Sequence, residues 1–471
     1  MATSLHLFNT LTRAKEKFVP IVSGNVKLYT CGPTVYHYAH IGNLRTYVFE
    51  DVLVRSLRFF GFAVDHVMNI TDVGHLVADT DDGEDKMEEG SRREGKSAWD
   101  VAKYYTQVFL SDLAKLNVGP PPESMQPKAT EYIPEMIALV ETLEKKGFTY
   151  KTGDGIYYDT KKFPTYGKLA RLDIENLEAG HRVAMRDKKN PTDFALWKFS
   201  APGEQRQMEW DSPWGRGYPG WHIECSAMAM KLLGTTLDIH CGGKDHIPLH
   251  HTNEIAQSEA ATGVKFSNWW MHGEFLTEDK GKMSKTGGEF LTLEFLIKKG
   301  FDPIAYRFLI LQAHYRTELN FHWEALKAAE AGLRGIRNRF GDWKNLEAPA
   351  EASPAFVAYQ DRFRIAIADD LNTPIAVSVF FDMLRDTQLS DAQKQSLTIE
   401  FDTIFGLGLK QDIHKAQKGE EWPSDVKALI AARDSARAAK NWKESDRVRD
   451  ELIAKGFAIL DSPQGTRLKK R

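Results

Sequence analysis

Cysteine is scarce in this chain, with three residues (Cys31, Cys225 and Cys241) among 471. Three thiols so widely separated cannot form the disulfide framework of a small secreted domain, and they point to a reducing, cytoplasmic setting. Long apolar runs are missing too. No stretch of about 18 apolar residues occurs, which excludes a membrane-spanning helix. The opening MATSLHLFNT lacks the charged-then-apolar layout of a secretory signal. Net charge is close to nil: 62 Lys+Arg against 65 Asp+Glu leave −3, so there is no chain-wide basic signature for nucleic acid. A local basic surface stays open. There is no internal repeat and no low-complexity tract. What is present is 42% hydrophobic, 27% charged and 11% aromatic residues, the composition of a globular chain with a sizeable core. At roughly 100–200 residues per domain, the length implies several domains.

The apolar pattern predicts a strand over 26–31, closed by Gly32-Pro33, and a helix over 42–60 ended by Gly61. A second strand is predicted over 63–70. Such a βαβ start argues for a parallel sheet in an α/β, doubly wound, Rossmann-like fold. The acid-rich stretch 79–90 reads as a solvated surface segment. Helices over 98–116 and 131–146 flank three consecutive prolines, and 154–214, rich in Gly, Pro and aromatics, reads as an insertion. The α/β pattern resumes with helices over 221–233 and 250–261 and strands over 236–239 and 269–274. Helices dominate after Leu291, and linkers fall at 347–354 and 419–424. The expected organisation is therefore an α/β domain in two halves (1–115 and 219–310) split by an insertion domain (116–218). A helical bundle (311–412) and a small C-terminal domain (420–471) follow. From Val426 onward there are twelve basic residues against six acidic ones. This is where a phosphate-backbone contact is expected, although a solubilising helical face would carry the same charge.

Three features carry chemistry. Four of the 15 histidines (His240, His246, His250, His251) crowd into twelve residues. His250 and Glu254 lie four apart on one helix face. In a doubly wound fold the strand ends and following turns converge on one crevice, so Cys31, Cys225, His250 and Glu254 can meet around zinc, which prefers thiolate, imidazole and carboxylate. Buried thiols among satisfied polar groups are the competing reading. Second, Ala39-His40-Ile41-Gly42-Asn43 opens the first helix, where unpaired N–H groups suit phosphate; a helix cap is the alternative. Third, Gly281-Lys282-Met283-Ser284-Lys285-Thr286-Gly287-Gly288 makes a cationic loop able to close on a phosphate chain, or else an ordinary surface loop.

In this order the features resemble class I aminoacyl-tRNA synthetases, and the surrounding residues resemble the cysteinyl-tRNA synthetase family. The likeness is carried by Tyr29-Thr30-Cys31-Gly32-Pro33-Thr34-Val35-Tyr36, Asn69-Ile70-Thr71-Asp72-Val73, Gly220-Trp221-His222-Ile223-Glu224-Cys225 and His250-His251-Thr252-Asn253-Glu254. It continues through Asp369-Asp370-Leu371-Asn372-Thr373-Pro374 and the helix beginning Lys440-Asn441-Trp442, so it spans nearly the whole chain. Departures are Thr252, Cys241 and the run Thr286-Gly287-Gly288-Glu289.

The resemblance implies ATP-dependent ligation of L-cysteine to tRNA(Cys) through cysteinyl-adenylate. It implies one zinc on Cys31, Cys225, His250 and Glu254, and a cysteine pocket lined by Thr71, Trp221 and His240. His40, Gly42, Asn43 and Lys285 would contact ATP, with Lys282 and Lys285 stabilising the transition state and Mg²⁺ arriving with ATP. A monomer acting in the cytoplasm is expected. Two other readings are a cysteine–glucosaminyl-inositol ligase of mycothiol synthesis, which should lack the basic terminal domain, and a non-catalytic tRNA-binding paralogue, which should have lost His40, Lys282 or Lys285.

Overall fold

The protein, as a computed structural model, is described for residues 3–74, 85–172, 188–200, 203, 206–278, 281–282, 291–340, 343, 346, 352–418, 423–462 and 465–470. Seven elements form the platform for the site: β1 (Asn25–Thr30), α1 (Ile41–Phe59), β2 (Ala63–Met68), α2 (Trp221–Leu233), β3 (Leu237–Gly243), α3 (His250–Thr262) and β4 (Ser267–Gly273). The four strands are parallel, in the order β4-β3-β1-β2. The chain leaves β1 toward β2 and later returns to the other side of β1 for β3 and β4. The order therefore reverses between β1 and β3, and the crevice beyond their C-terminal ends is where an open α/β sheet binds its ligand. This is the α/β, doubly wound architecture that the alternation of elements implies.

Register places the chemistry. Tyr29 pairs with His240 and Thr30 with Cys241 across β1 and β3, and Trp270 of β4 pairs with His240. Cys31, one residue beyond β1, donates its backbone N–H to the Cys241 carbonyl at 3.1 Å. The turn there has no room for a side chain: a Cβ on Gly32 would fall 1.5 Å from the Asn69 carbonyl oxygen. The strand ends at 237–243, later than the expected 236–239, because Cys241, Gly242 and Gly243 pair with Met271, His272 and Gly273 despite their poor strand propensity.

α1 is buried almost all round, with thirteen of its nineteen residues inside. Leu44, Val48, Leu53 and Leu57 are fully enclosed, and each such side chain contributes about 1.5–3 kcal/mol by burial. Gly61, at φ +89°, supplies the left-handed residue just past the helix end. Burial on its polar side is offset by pairing. The Asp51 carboxylate meets Arg307 at 2.5 Å and Arg55 at 2.6 Å, and Arg307 also donates to the carbonyls of Leu116, Asn117 and Phe405. Arg307 belongs to the helix Pro303–Leu311, one of several helices (with Trp323–Arg339, Pro354–Ala368, Thr373–Arg385 and Asp391–Phe405) that follow the sheet.

Between Thr149 and Pro219 the chain builds a separate antiparallel sheet, Thr149–Lys151, Gly155–Tyr158, Phe194–Phe199 and Gly217–Pro219 in that order. One expectation needs correction. Residues 79–84 lie outside the described part, but the end of the acidic stretch is not a solvated loop. Asp85 is buried, accepts from the N–H groups of Met87 and Glu88 at 2.7 and 2.9 Å, and caps a helix Lys86–Glu94. Its carboxylate also pairs with Arg206, and Gln207 bonds Glu88 and Ser91. Acidic residues in a first helical turn complement the N–H groups there, so the charge density that suggests a loop here stabilises a helix start.

The chain divides into two compact units, Met1–Arg339 with Leu346–Lys410, and Phe340–Asn345 with Gln411–Arg471. In the second, helices Ser424–Ala438 and Trp442–Ala454 and the hairpin Phe457–Ser462/Gly465–Lys470 enclose Val426, Val448, Leu452 and Phe457. Among the described residues no helix is long and apolar enough to cross a membrane.

Candidate metal centre and active-site cleft

Four ligand-type side chains from three separate stretches converge at the crevice. Cys31 follows β1, Cys225 lies one turn into α2, and His250 and Glu254 stand one turn apart at the start of α3. Their ligand atoms all lie within 4.8 Å of one another and all four residues are buried. Tetrahedral zinc with Zn–S near 2.3 Å and Zn–N or Zn–O near 2.0–2.2 Å places ligand atoms about 3.3–3.8 Å apart, so small side-chain adjustments close the cluster on an ion. Two sulfurs, an imidazole and a carboxylate are the donor types zinc takes.

The cluster's electrostatics follow from its burial. Burial pushes the Glu254 carboxyl up, but His240 and His250 outweigh it and hold the group down at about 2. Burial works against the His250 imidazolium; Glu254 and Cys225 nevertheless raise it to about 10. A hydrogen bond from the Cys31 thiol lowers Cys225 to about 6, while burial and Cys225 push Cys31 up. The two shifts run in opposite directions, as expected for neighbouring thiols that share a proton. A divalent cation would remove that proton as well, because only deprotonated ligands bind.

Behind the four stands a second row that sequence reasoning missed. His240 Nε2 lies 3.0 Å from Glu254 Oε2, and His222 Nδ1 lies 3.1 Å from His250 Nδ1. His251 Nε2 is 3.3 Å from Cys31 Sγ; its Nδ1 contacts His272 Nε2 at 2.8 Å, and His272 Nδ1 reaches Thr10 Oγ1 at 2.8 Å. Burial holds His222, His251 and His272 well below the ordinary histidine range, hence neutral. Such partners orient ligating side chains. Cys31, His240, His251 and Glu254 form an overlapping group of the same compactness. The alternation of β4 was the available signal for His272, which faces the same way as Trp270.

The cluster opens on a cleft of about 400 Å³, within the range of small-molecule sites. Cys31, Cys225 and His250 of the cluster line it together with Thr71, Trp221, His40 and Asn43. The Trp221 ring lies 4.6 Å from that of His250. His240 is fully buried and is not among the lining residues; it stands behind Glu254. Lys86, Glu89 and Arg93 also line the cleft, from the helix that the acidic stretch concealed.

His40 and Asn43 serve as both cap and wall. The His40 ring accepts from the Asn43 N–H at 3.1 Å, and the Asn43 side chain accepts from the His40 N–H at 3.2 Å, a reciprocal capping box. A neutral ring accepting at Nδ1 carries its proton on Nε2 and can donate there. Gly42 follows within the first turn. The cationic loop begins and ends beside this helix start. Gly281–Lys282 pairs with Leu276–Glu278, with Lys282 opposite Thr277. Arg45 donates to the carbonyls of Glu274 and Phe275 just before it. At the far end the Leu291 carbonyl accepts from Ile41 N–H at 2.8 Å, and Thr292 bridges His40. Lys285 lies outside the described residues.

Comparison with known proteins agrees with this geometry. Residues 17–331 match the family model for the class I (C) tRNA synthetase catalytic domain, 362–403 a DALR domain, and 420–467 the cysteinyl-tRNA ligase anticodon binding domain. The methionyl-tRNA synthetase of Mycobacterium tuberculosis, solved with methionyl-adenylate, shares the fold with a TM-score of 0.56 at 13% identity, over 83% of this chain and 90% of that one. The sheet, cleft and capped helix are thus those of a class I tRNA synthetase. Cysteine–tRNA ligase 1 of Burkholderia lata is 51% identical over 98% of this chain and 96% of its own length. Cysteine–tRNA ligase of Treponema denticola is 45% identical over 99% and 100%. The chain belongs to the cysteine–tRNA ligase family.

Proposed function

We propose that this chain joins L-cysteine to tRNA(Cys) at the expense of ATP, through a cysteinyl-adenylate. The observation that carries the reading is one cleft lined both by Cys31, Cys225 and His250 of the two-sulfur, imidazole and carboxylate cluster and by His40 and Asn43 at the capped N-terminus of α1. Cys31, Cys225, His250 and Glu254 would hold one zinc ion. When bound, zinc supplies the choice of sulfur over oxygen, since it takes thiolate strongly and a neutral alcohol poorly.

The remaining work falls to the protein's own groups. Thr71 and Trp221 bound the amino-acid side of the cleft, and His240 keeps the Glu254 carboxylate oriented. The N-terminus of α1 and the His40 and Asn43 side chains face the ATP phosphates, where the helix end favours negative charge. Gly42 lets the phosphates come close to the backbone. Lys282 and Lys285, on a loop whose ends lie beside that same helix start, neutralise charge as the substrate carboxylate attacks the α-phosphate and pyrophosphate leaves. Mg²⁺ arrives on the phosphates. The acyl group then passes to a ribose hydroxyl of the terminal adenosine. No protein nucleophile is needed; positioning and electrostatics lower the barrier. In this reading 1–115 and 219–310 form the catalytic domain, 116–218 the insertion, 311–412 the bundle, and 420–471 the anticodon reader, in a monomer working in the cytoplasm.

Removing residues 420–471 separates the half-reactions. Cysteine-dependent ATP–pyrophosphate exchange should persist near full rate, while charging of tRNA(Cys) falls at least about a hundredfold as the basic domain's phosphate contacts are lost. Charging at the full-length rate would refute the role given to 420–471, and amine-ligase activity with undiminished turnover would favour the mycothiol reading.

A further inference from the structure

Aromatic side chains cluster beside the cleft. Tyr38 and Tyr105 are among its lining residues, and Tyr104 precedes Tyr105 on the helix Ala98–Lys115. Tyr38 is 37% and Tyr104 40% exposed, and their hydroxyls meet at 3.0 Å. Both rings lean edge-on against Tyr105, with centroids 5.0 and 5.1 Å away. Tyr105 itself is buried, stacks on His37 at 6.0 Å, and donates its hydroxyl to Glu94 at 2.8 Å. Two exposed rings are thus held in place from beneath.

Cations accompany them. The Lys96 ammonium lies 5.1 Å from the centre of the Tyr104 ring. The Arg93 guanidinium lies 5.9 Å from that of Tyr105, and Arg93 also donates to the Tyr36 carbonyl at 2.6 Å. The nearby Glu94 carboxylate is engaged by Tyr105 and Arg93. Rigid exposed rings edged with positive charge are what unpaired nucleotides stack on, and the contact tolerates any base because every base has a π-face. Of the proposed substrates the tRNA is the polynucleotide, and its unpaired 3′ end has to reach the site where the adenylate forms. We infer that Tyr38, Tyr104 and Lys96 form a stacking platform for the single-stranded 3′ end of the tRNA, delivering its terminal ribose to the adenylate. This rests on the tRNA-charging reading and adds to it the surface that guides the acceptor end.

The test measures dissociation constants for a tRNA(Cys) transcript and for the same transcript lacking its single-stranded 3′ end, on the full-length chain and on Tyr104→Ala, Tyr104→Phe and Lys96→Ala. Tyr104→Ala should weaken binding of the intact transcript about tenfold, while Tyr104→Phe, which keeps the ring, stays within about twofold. Lys96→Ala should reduce the salt slope by about one. All four proteins should bind the shortened transcript alike, and cysteine-dependent exchange should be unchanged in Tyr104→Ala. Unchanged binding of the intact transcript by both Tyr104→Ala and Lys96→Ala, or equal weakening on both transcripts, overturns the platform. Should Tyr104→Ala fail to fold, Lys96→Ala on the two transcripts decides alone. Absence of cysteine-dependent exchange in the unmodified chain would instead refute the tRNA-charging reading.

Discussion

A Cys225→Ser variant should purify without metal and show an apparent KM for cysteine raised by at least about a hundredfold, the scale on which even the partners of metal ligands act. The substitution is nearly isosteric, so it tests charge rather than packing. A hydrogen bond from Cys31 holds the Cys225 thiol down, at about 6. A serine hydroxyl keeps its proton at any pH the protein survives. The change therefore removes one of the two groups, Glu254 and Cys225, that raise His250. Elemental analysis and exchange kinetics at saturating ATP read the two effects separately. Full metal content in Cys225→Ser would remove this residue from the ligand set. Lost metal with an unchanged KM would separate the metal from cysteine recognition.

The second large effect should come from His40→Ala, with cysteine-dependent exchange falling by about 10²–10³ in kcat, the usual range for removing one donor aimed at developing charge. Metal content and the KM for cysteine should stay as they were, because His40 belongs to neither group of candidate metal ligands. The loss has a structural component, since His40 caps α1 through the Asn43 N–H at 3.1 Å, and losing a cap costs about 1 kcal/mol of stability. His40→Asn separates the two, because asparagine is among the best helix caps yet reaches less far into the cleft. Thermal unfolding near the parent value with exchange still depressed would assign the effect to phosphate contact. Recovery of exchange in His40→Asn would assign it to capping.

The two readings of the His40–Asn43 turn, cap or phosphate site, proved compatible: the capping box forms, and both residues line the cleft. The four metal-ligand candidates were legible because two thiols and a His/Glu pair at helical spacing are chemically conspicuous, and because a parallel sheet collects its strand ends in one place. The supporting histidines were not. His222 lies three residues before Cys225, outside the obvious crowd, and His272 comes from β4, which a local count of histidines cannot connect to α3. His240, expected in the amino-acid pocket, is fully buried, pairs in register with Tyr29 and Trp270, and contacts Glu254 at 3.0 Å. The helix Lys86–Glu94 was hidden by its own charge. Its signals were local, Asp85 as cap with Glu88 and Glu89 in the first turn, and they were outweighed by the polarity of the whole stretch. Cys241 shows the limit of reading by residue type. It is as buried as Cys31 and Cys225, yet it lies in the middle of β3, away from the lining of the cleft.

The central claim is that sulfur, rather than size, is what the cluster of Cys31, Cys225, His250 and Glu254 selects. It is tested most directly by comparing kcat/KM for cysteine-dependent and serine-dependent ATP–pyrophosphate exchange on the zinc-loaded full-length chain. Selection through the metal predicts a ratio of at least about 10⁴, whereas a pocket relying on shape yields about 10² or less. A ratio at or below that lower figure would contradict the account.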